Sequence, residues 1–171
     1  MTGMSTIEKS PRQLVREIPD PEMPWVTLGD LGIVRSVECG ADNTVRVELT
    51  PTYLGCPAID AMRADVATVL AEAGYRVESV DLRLDPPWTS ASISEEGRRK
   101  LAEAGIAPPA HVAPPGWHHQ QTDSAVPLSL GVRCPNCGAI DTKLLSRFGA
   151  SPCQELRRCT SCAEPFPAVR S

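Results

Sequence analysis

Aromatic residues make up only 4% of this 171-residue chain, so a core has to rest on Val, Leu, Ile and Ala. No apolar run is long enough to span a bilayer, and no basic-then-apolar leader pattern is present, so the expected compartment is the cytoplasm and no membrane partner is expected. The chain lacks a glycine-rich phosphate loop, a dinucleotide fingerprint and any Ser/His/Asp arrangement. Its three histidines, His111, His118 and His119, sit in a proline-rich stretch away from other reactive side chains, and read as parts of a polar linker rather than as a metal site. An autonomous enzyme is therefore not expected. Also missing is a face of lysine and arginine interleaved with aromatics. Residues 131–171 carry six basic against three acidic side chains, but four thiolates and one divalent cation would contribute about −2. Nucleic acid is not an expected partner.

Cysteine is the residue that is plentiful. Seven cysteines in a protein read as cytoplasmic argue for metal or thiol chemistry over a disulfide framework. Four of them form two Cys-x-x-Cys pairs, Cys134-Pro135-Asn136-Cys137 and Cys159-Thr160-Ser161-Cys162. In each pair a short turn lets both sulfurs point at one ion, and Gly138 suits the tight exit of the first. The segment between the pairs reads as two strands, Thr142 to Phe148 and Cys153 to Arg158, joined at Gly149-Ala150-Ser151-Pro152. This ribbon cannot bury much of a core by itself, so a bound metal is the expected reason it folds. Four ligands fill a tetrahedron, which makes a structural zinc the expected cofactor; a single iron or an iron–sulfur cluster uses the same ligands. Cys153 would lie about 20 Å from Cys159 along a continuous strand, too far to share the ion.

Upstream, Ser10-Pro11 reads as a helix cap and first turn, with Leu14, Val15 and Ile18 on one face. Extended stretches at Gly32–Cys39 and Thr44–Thr50, separated by Gly40-Ala41-Asp42-Asn43, read as an antiparallel hairpin. Ile59, Met62, Val66, Val69 and Leu70 mark an amphipathic helix ending near Gly74. Glu78 to Asp85 reads as a third strand, and Ser92 or Ser94 as the start of a further helix reaching Leu101–Gly105. The expected architecture is α+β: a small mixed sheet with helices on one face, then a proline-rich linker and a zinc-ribbon-like module. The expected boundaries are 8–107, 108–130 and 131–171.

Cys56 stands immediately before Pro57, which reads as the first residue of the amphipathic helix. A thiol at that helix start faces unpaired N–H groups and the positive end of the dipole, so its pKa is expected to fall. Such a thiol suits transient binding of a soft metal or cluster; a small buried cysteine is the plainer alternative. Cys39, at a strand end, reads as structural. Asp20, Glu22 and Asp30 lie near turns, where turn formation explains them as well as a metal or a general base does.

Asp20-Pro21-Glu22-Met23-Pro24, Leu31-Gly32-Ile33-Val34, Thr50-Pro51-Thr52 and Gly55-Cys56-Pro57 form an ordered set. Over about residues 10–107 this set resembles the domain shared by bacterial iron–sulfur assembly factors of the Suf type and eukaryotic cytosolic iron–sulfur targeting proteins. With the four-cysteine ribbon appended, the chain resembles the family of phenylacetyl-CoA epoxidase D subunits, also called phenylacetate-CoA oxygenase J subunits. The resemblance implies a non-catalytic accessory or maturation subunit in aerobic phenylacetate degradation. The implied partners are the oxygenase and reductase subunits. It implies that Cys56 is the reactive cysteine, carrying iron or a cluster transiently, with Asp20, Glu22 and Thr52 as supporting candidates. A structural subunit of the oxygenase complex, a general iron–sulfur assembly factor and a homo-oligomer stay open as alternatives. Ala163 departs from the ribbon pattern, where glycine often follows the second cysteine pair.

Overall fold

Ser10 opens the first helix through a reciprocal cap: its hydroxyl accepts from the Gln13 amide, and the Gln13 side chain accepts from the Ser10 amide at 2.9 Å. In this computed structural model, residues 9–53, 55–109 and 132–170 are described. The linker histidines and most of the proline-rich stretch lie outside the described residues. The chain divides into two compact units, Met1–Trp88 and Thr89–Ser171.

The first unit contains α1 (Pro11–Arg16), the hairpin β1 (Val34–Cys39) and β2 (Thr44–Leu49), α2 (Ile59–Glu72) and β3 (Arg76–Leu82). The sheet order is β1-β2-β3, antiparallel between β1 and β2 and parallel between β2 and β3. It is the small mixed sheet expected, with α2 as the crossover that a parallel pair requires. In β2, Val45, Val47 and Leu49 are buried while Arg46 between them is exposed. Met62, Val66 and Leu70 form the buried stripe of α2. β3 starts earlier than Glu78 because its pairing begins at Thr44 opposite Arg76; the alternating apolar residues marked the strand but not its register.

A large share of this core comes from the irregular segment between α1 and β1. Met23, Val26, Leu28, Leu31 and Ile33 are all buried there, each worth about 1.5–3 kcal/mol. Backbone bonds from Asp20 N to Val26 O (2.9 Å) and from Leu28 N to Ile18 O (2.9 Å) fold the segment back on itself. Gly29 lets it approach α1: an added Cβ would sit 2.7 Å from the Arg16 carbonyl oxygen. The Trp88 indole N–H donates to Leu31 O at 2.8 Å and ties the end of the unit to this segment.

The second unit holds α3 (Glu95–Glu103), capped by Ser94, and the ribbon strands β4 (Thr142–Ser146), β5 (Gln154–Cys159) and β6 (Pro165–Val169), antiparallel in that order. The sequence reading placed no strand at β6, which carries Pro165 and Pro167, residues rarely found inside a sheet. The structure shows why they are tolerated. Pro167 O accepts from Ala107 N (2.8 Å) and Val169 N donates to Ala107 O (3.1 Å). Residues 165, 167 and 169 thus turn their backbone groups away from β5, and the missing proline N–H groups leave the β5–β6 ladder intact. The same bonds join the exit of α3 to the ribbon. The sequence reading set α3 with the first domain, since a helical period says nothing about which sheet a helix's exit will join.

Candidate metal centre and thiol site

The ribbon register assembles the four-cysteine site. Thr142 at the start of β4 pairs with Cys159 at the end of β5, so the second cysteine pair leaves the sheet beside the segment carrying the first. The Thr160 amide and hydroxyl both donate to Asp141 O, at 3.0 and 2.8 Å, and the Thr142 hydroxyl donates to Val132 O. Each pair is a tight knuckle. In the first, Cys134 N donates to Ala139 O and Gly138 N to Cys134 O. In the second, Cys159 N donates to Glu164 O. Gly138 leaves its knuckle at φ 74°, and Ala163 leaves the other at φ 62°. The departure at Ala163 therefore does not change the turn; it puts a Cβ in the left-handed region, at a cost of about 1–2 kcal/mol.

The sulfurs of Cys134, Cys137, Cys159 and Cys162 all lie within 4.8 Å of one another. Cys134 to Cys162 is 3.8 Å and Cys137 to Cys159 is 3.5 Å. Zinc–sulfur bonds of about 2.3 Å in a tetrahedron place sulfurs about 3.8 Å apart, so the donor set fits zinc with very little movement. Cys134 and Cys159 back onto a small buried cluster of Ala107, Phe166 and Ala168. Backbone N–H groups of Cys162 and Ser161 hold the Cys159 thiol down to about 6 despite its partial desolvation. The Ala139 amide pulls Cys137 down, but its thiol contact with Cys159 and burial push it up to about 12. The contact between the Cys137 and Cys159 sulfurs thus favours the thiolate on Cys159 and the thiol on Cys137, and a divalent cation bound between them would favour the thiolate on both. Cys153 is not in the group; its sulfur lies 2.9 Å from the Ser151 hydroxyl oxygen, before β5 begins.

The second thiol corrects an expectation. α2 begins at Ile59 with Ala58 as its cap residue and no side-chain cap, so Cys56 lies two residues further out and Pro57 is not the first helical residue. Burial pushes the Cys56 thiol up, and the charges of Glu22 and Asp20 push the same way; the Ala58 and Ile59 amides pull down but are outweighed. The pKa moves up, not down. The thiol is half-buried and feels the charges of Glu22 and Asp20, which the local helix-start argument had no means of including.

Asp20 is buried, and its carboxylate accepts from the amides of Glu22 (2.9 Å) and Met23 (2.8 Å), so it builds the turn that presents Glu22. Burial raises its pKa as well. Asp30 and Thr27 bond each other's backbone amides through their side chains, both at 3.1 Å, which makes Asp30 a turn residue. Thr52 is half-buried on the loop whose Tyr53 carbonyl accepts from Cys56 N. The sequence reading named Thr52 and not Thr50 as a candidate; the buried hydroxyl oxygen of Thr50 has no hydrogen-bond partner among the described residues. Thr50 belongs to the Thr50-Pro51-Thr52 motif, but the alternation of β2 put it on the outward face, so the pattern did not mark it as a site residue.

An α+β unit built on a small mixed sheet, followed by a ribbon that gathers four cysteine sulfurs, is the arrangement of the iron–sulfur-assembly class with a zinc-ribbon appendage. Residues 12–82 match the family model described as iron–sulfur cluster assembly protein, and residues 118–170 match the PaaD zinc beta ribbon domain. The chain is 39% identical over 153 residues to the putative 1,2-phenylacetyl-CoA epoxidase D subunit of Escherichia coli, covering 90% of this chain and 86% of that protein. It belongs to the phenylacetyl-CoA epoxidase D-subunit family. An Fe-S protein maturation auxiliary factor of Porphyromonas gingivalis is 37% identical over 90 residues, covering 52% of this chain and 85% of that one. The crystal structure of DUF59, a domain of unknown function from Bacillus anthracis, shares the fold. Its TM-score is 0.50 at 27% identity, covering 55% of this chain and 90% of that one. No helix among the described residues is long and apolar enough to cross a membrane.

Proposed function

We propose that this chain is a non-catalytic accessory factor of a phenylacetyl-CoA epoxidase system that delivers iron or an iron–sulfur cluster to the oxygenase or its reductase. Cys56 is the residue that holds this cargo, and Cys134, Cys137, Cys159 and Cys162 hold a structural zinc. The observation that carries the reading is the half-buried Cys56 thiol set against the charges of Glu22 and Asp20, within the segment that resembles iron–sulfur maturation factors. At neutral pH this thiol keeps its proton, which limits alkylation and oxidation. An arriving cation displaces that proton, and the neighbouring carboxylates, which oppose a bare thiolate, favour the bound metal. Zinc, when bound in the ribbon, supplies folding energy and no open coordination position.

The test is reconstitution of the reductase apoprotein with iron and sulfide in the presence of the native chain or Cys56→Ala. Faster or fuller cluster loading with the native chain alone is the expected result. Equal cluster occupancy with both proteins sinks the transfer role. A second reading, a structural subunit of the oxygenase complex, is favoured by the name of the Escherichia coli relative; co-purification with the oxygenase at fixed stoichiometry would distinguish it from transient association.

A further inference from the structure

The segment that leads from α1 to β1 folds into a hairpin-like loop with an exposed apolar tip. Leu28 N donates to Ile18 O (2.9 Å), Pro19 and Thr27 form an antiparallel bridge, and Asp20 N donates to Val26 O (2.9 Å), so residues 21–25 form the tip. Met23 and Val26 anchor it from inside, at 2% and 0% exposure. The Val26 amide donates to Met23 O at 3.0 Å, which sets Pro24 and Trp25 at the two corners of a tight turn. Proline at the first corner fixes that backbone angle in advance. The result is a rigid mount for an indole that is 48% exposed, and Pro21 and Pro24 are exposed as well. Charge in this region has one sign. Residues 17–34 contain four carboxylates and no Lys, Arg or His, and residues 51–62, which carry Cys56, contain Asp60 and no cation. The tip and Cys56 belong to one unit. Ile18 and Pro19, at the base of the loop, line a cleft with Asp65, Thr68 and Val69 of α2, the helix into which Cys56 leads. The charges of Glu22 and Asp20 reach the Cys56 thiol.

We propose that Trp25, with Pro21 and Pro24, anchors the protein that receives the cargo, through an apolar pocket on that protein rimmed by basic side chains. This inference rests on the transfer role of Cys56. Iron leaves Cys56 only when a ligand of the acceptor replaces its sulfur. In that exchange an acceptor thiol gives up its proton and bonds the iron as the bond to Cys56 breaks, and Cys56 regains a proton; no electron is transferred. The acceptor protein must therefore cover the surface around Cys56, and the tip that carries Glu22 and Trp25 extends the contact. An indole already held in place loses little freedom when it is buried, and tryptophan is among the residues that carry most of the energy of interfaces. Four carboxylates without a cation select a basic surface as the complement. The same charge disfavours two other occupants, a nucleic acid and an anionic lipid surface.

Calorimetric titration of the reductase apoprotein and of the oxygenase apoprotein, each with the full chain, tests the dock. The native chain should bind one of them, and more weakly as salt rises. Trp25→Ala should weaken that binding about tenfold or more, and Trp25→Phe should restore most of it. In cluster loading of the same apoprotein, Trp25→Ala should raise the half-saturating concentration of the chain and leave the rate at saturation unchanged. Trp25 is exposed, so circular dichroism and thermal melting should not change. Cys56→Ala should bind like the native chain, because docking and carrying fall to different residues. Equal binding by the native and Trp25→Ala chains overturns the dock even where Cys56 carries cargo. Equal loading with Cys56→Ala, beside binding that still needs Trp25, sinks the transfer role and keeps the docking site. Binding to neither apoprotein overturns the proposal. So does self-association, or binding to vesicles of phosphatidylcholine and phosphatidylglycerol, that Trp25→Ala abolishes.

Discussion

The two units hold themselves together by different means. In the first, Val45, Val47 and Leu49 from the sheet, Met62, Val66 and Leu70 from α2, and Met23 to Ile33 from the loop segment share one apolar interior. In the second, Ile93, Leu101 and Ile106 are buried in and around α3, while the cluster behind the ribbon's sulfurs is Ala107, Phe166, Ala168 and two of the cysteines, with Val132 and Ala139 packed against it. That is too little apolar area to order three strands and their knuckles. Solvent-driven burial is spread over many side chains and survives the loss of one. Metal-driven folding is concentrated in four sulfurs and does not. The difference also separates the two kinds of cysteine: the four ribbon sulfurs are gathered within 4.8 Å of one another, whereas the Cys56 thiol stands apart from them and burial pushes its pKa up.

Metal removal should break this contrast most sharply. Chelation, or Cys134→Ser, removes a contribution of about 10–16 kcal/mol. The ribbon strands should lose amide protection while β1–β3 and α2 keep theirs, as read by hydrogen exchange. Protection should also fall at Ala107, whose amide donates to β6 and whose side chain lies in the cluster behind Cys134 and Cys159. An intact ribbon after complete metal loss would overturn the account. The converse substitution, Leu70→Ala, should cost about 2–5 kcal/mol in the first unit and leave the metal content unchanged; zinc analysis beside a denaturant titration reads both.

A smaller effect is expected at the second knuckle. Ala163→Gly relieves a left-handed alanine and should stabilise the ribbon by about 1 kcal/mol, visible as tighter metal retention in a chelator competition. No gain would mean that the native turn does not hold φ 62° in solution. The smallest effect concerns Cys56. Its alkylation, followed peptide by peptide in a mass spectrometer, should rise with pH and reach half its limit above the ordinary thiol range. Glu22→Gln removes one charge that opposes the thiolate, so the midpoint should move down and the rate at neutral pH rise by about twofold. An unchanged rate would show that burial alone sets this thiol.

Much of the framework was legible in residue order. Ser10 and Ser94 as caps, the alternation of β2, the stripe of α2 and the two Cys-x-x-Cys pairs are each written in neighbouring residues, where spacing and local chemistry carry the information. What was missed depends on distant partners. The strand β6 exists because Ala107 accepts the side of the chain that its prolines leave without donors. The loop core of Met23, Val26, Leu28 and Leu31 has no period, so no pattern announced it. Thr50 was hidden by an alternation that ends one residue before it.

The sequence by itself determined that four sulfurs would meet in a ribbon, because a two-residue spacing within each pair and a hairpin between them leave few other arrangements. It also determined the mixed sheet, through hydrophobic periods of two and then 3.6 residues. Only the tertiary structure decided the state of Cys56, because burial and the charges of residues more than thirty positions earlier outweigh the amides next to it in the chain. It alone decided that the exit of α3 joins the ribbon, since a backbone bond between Ala107 and β6 is made by proximity in space and leaves no trace in local composition.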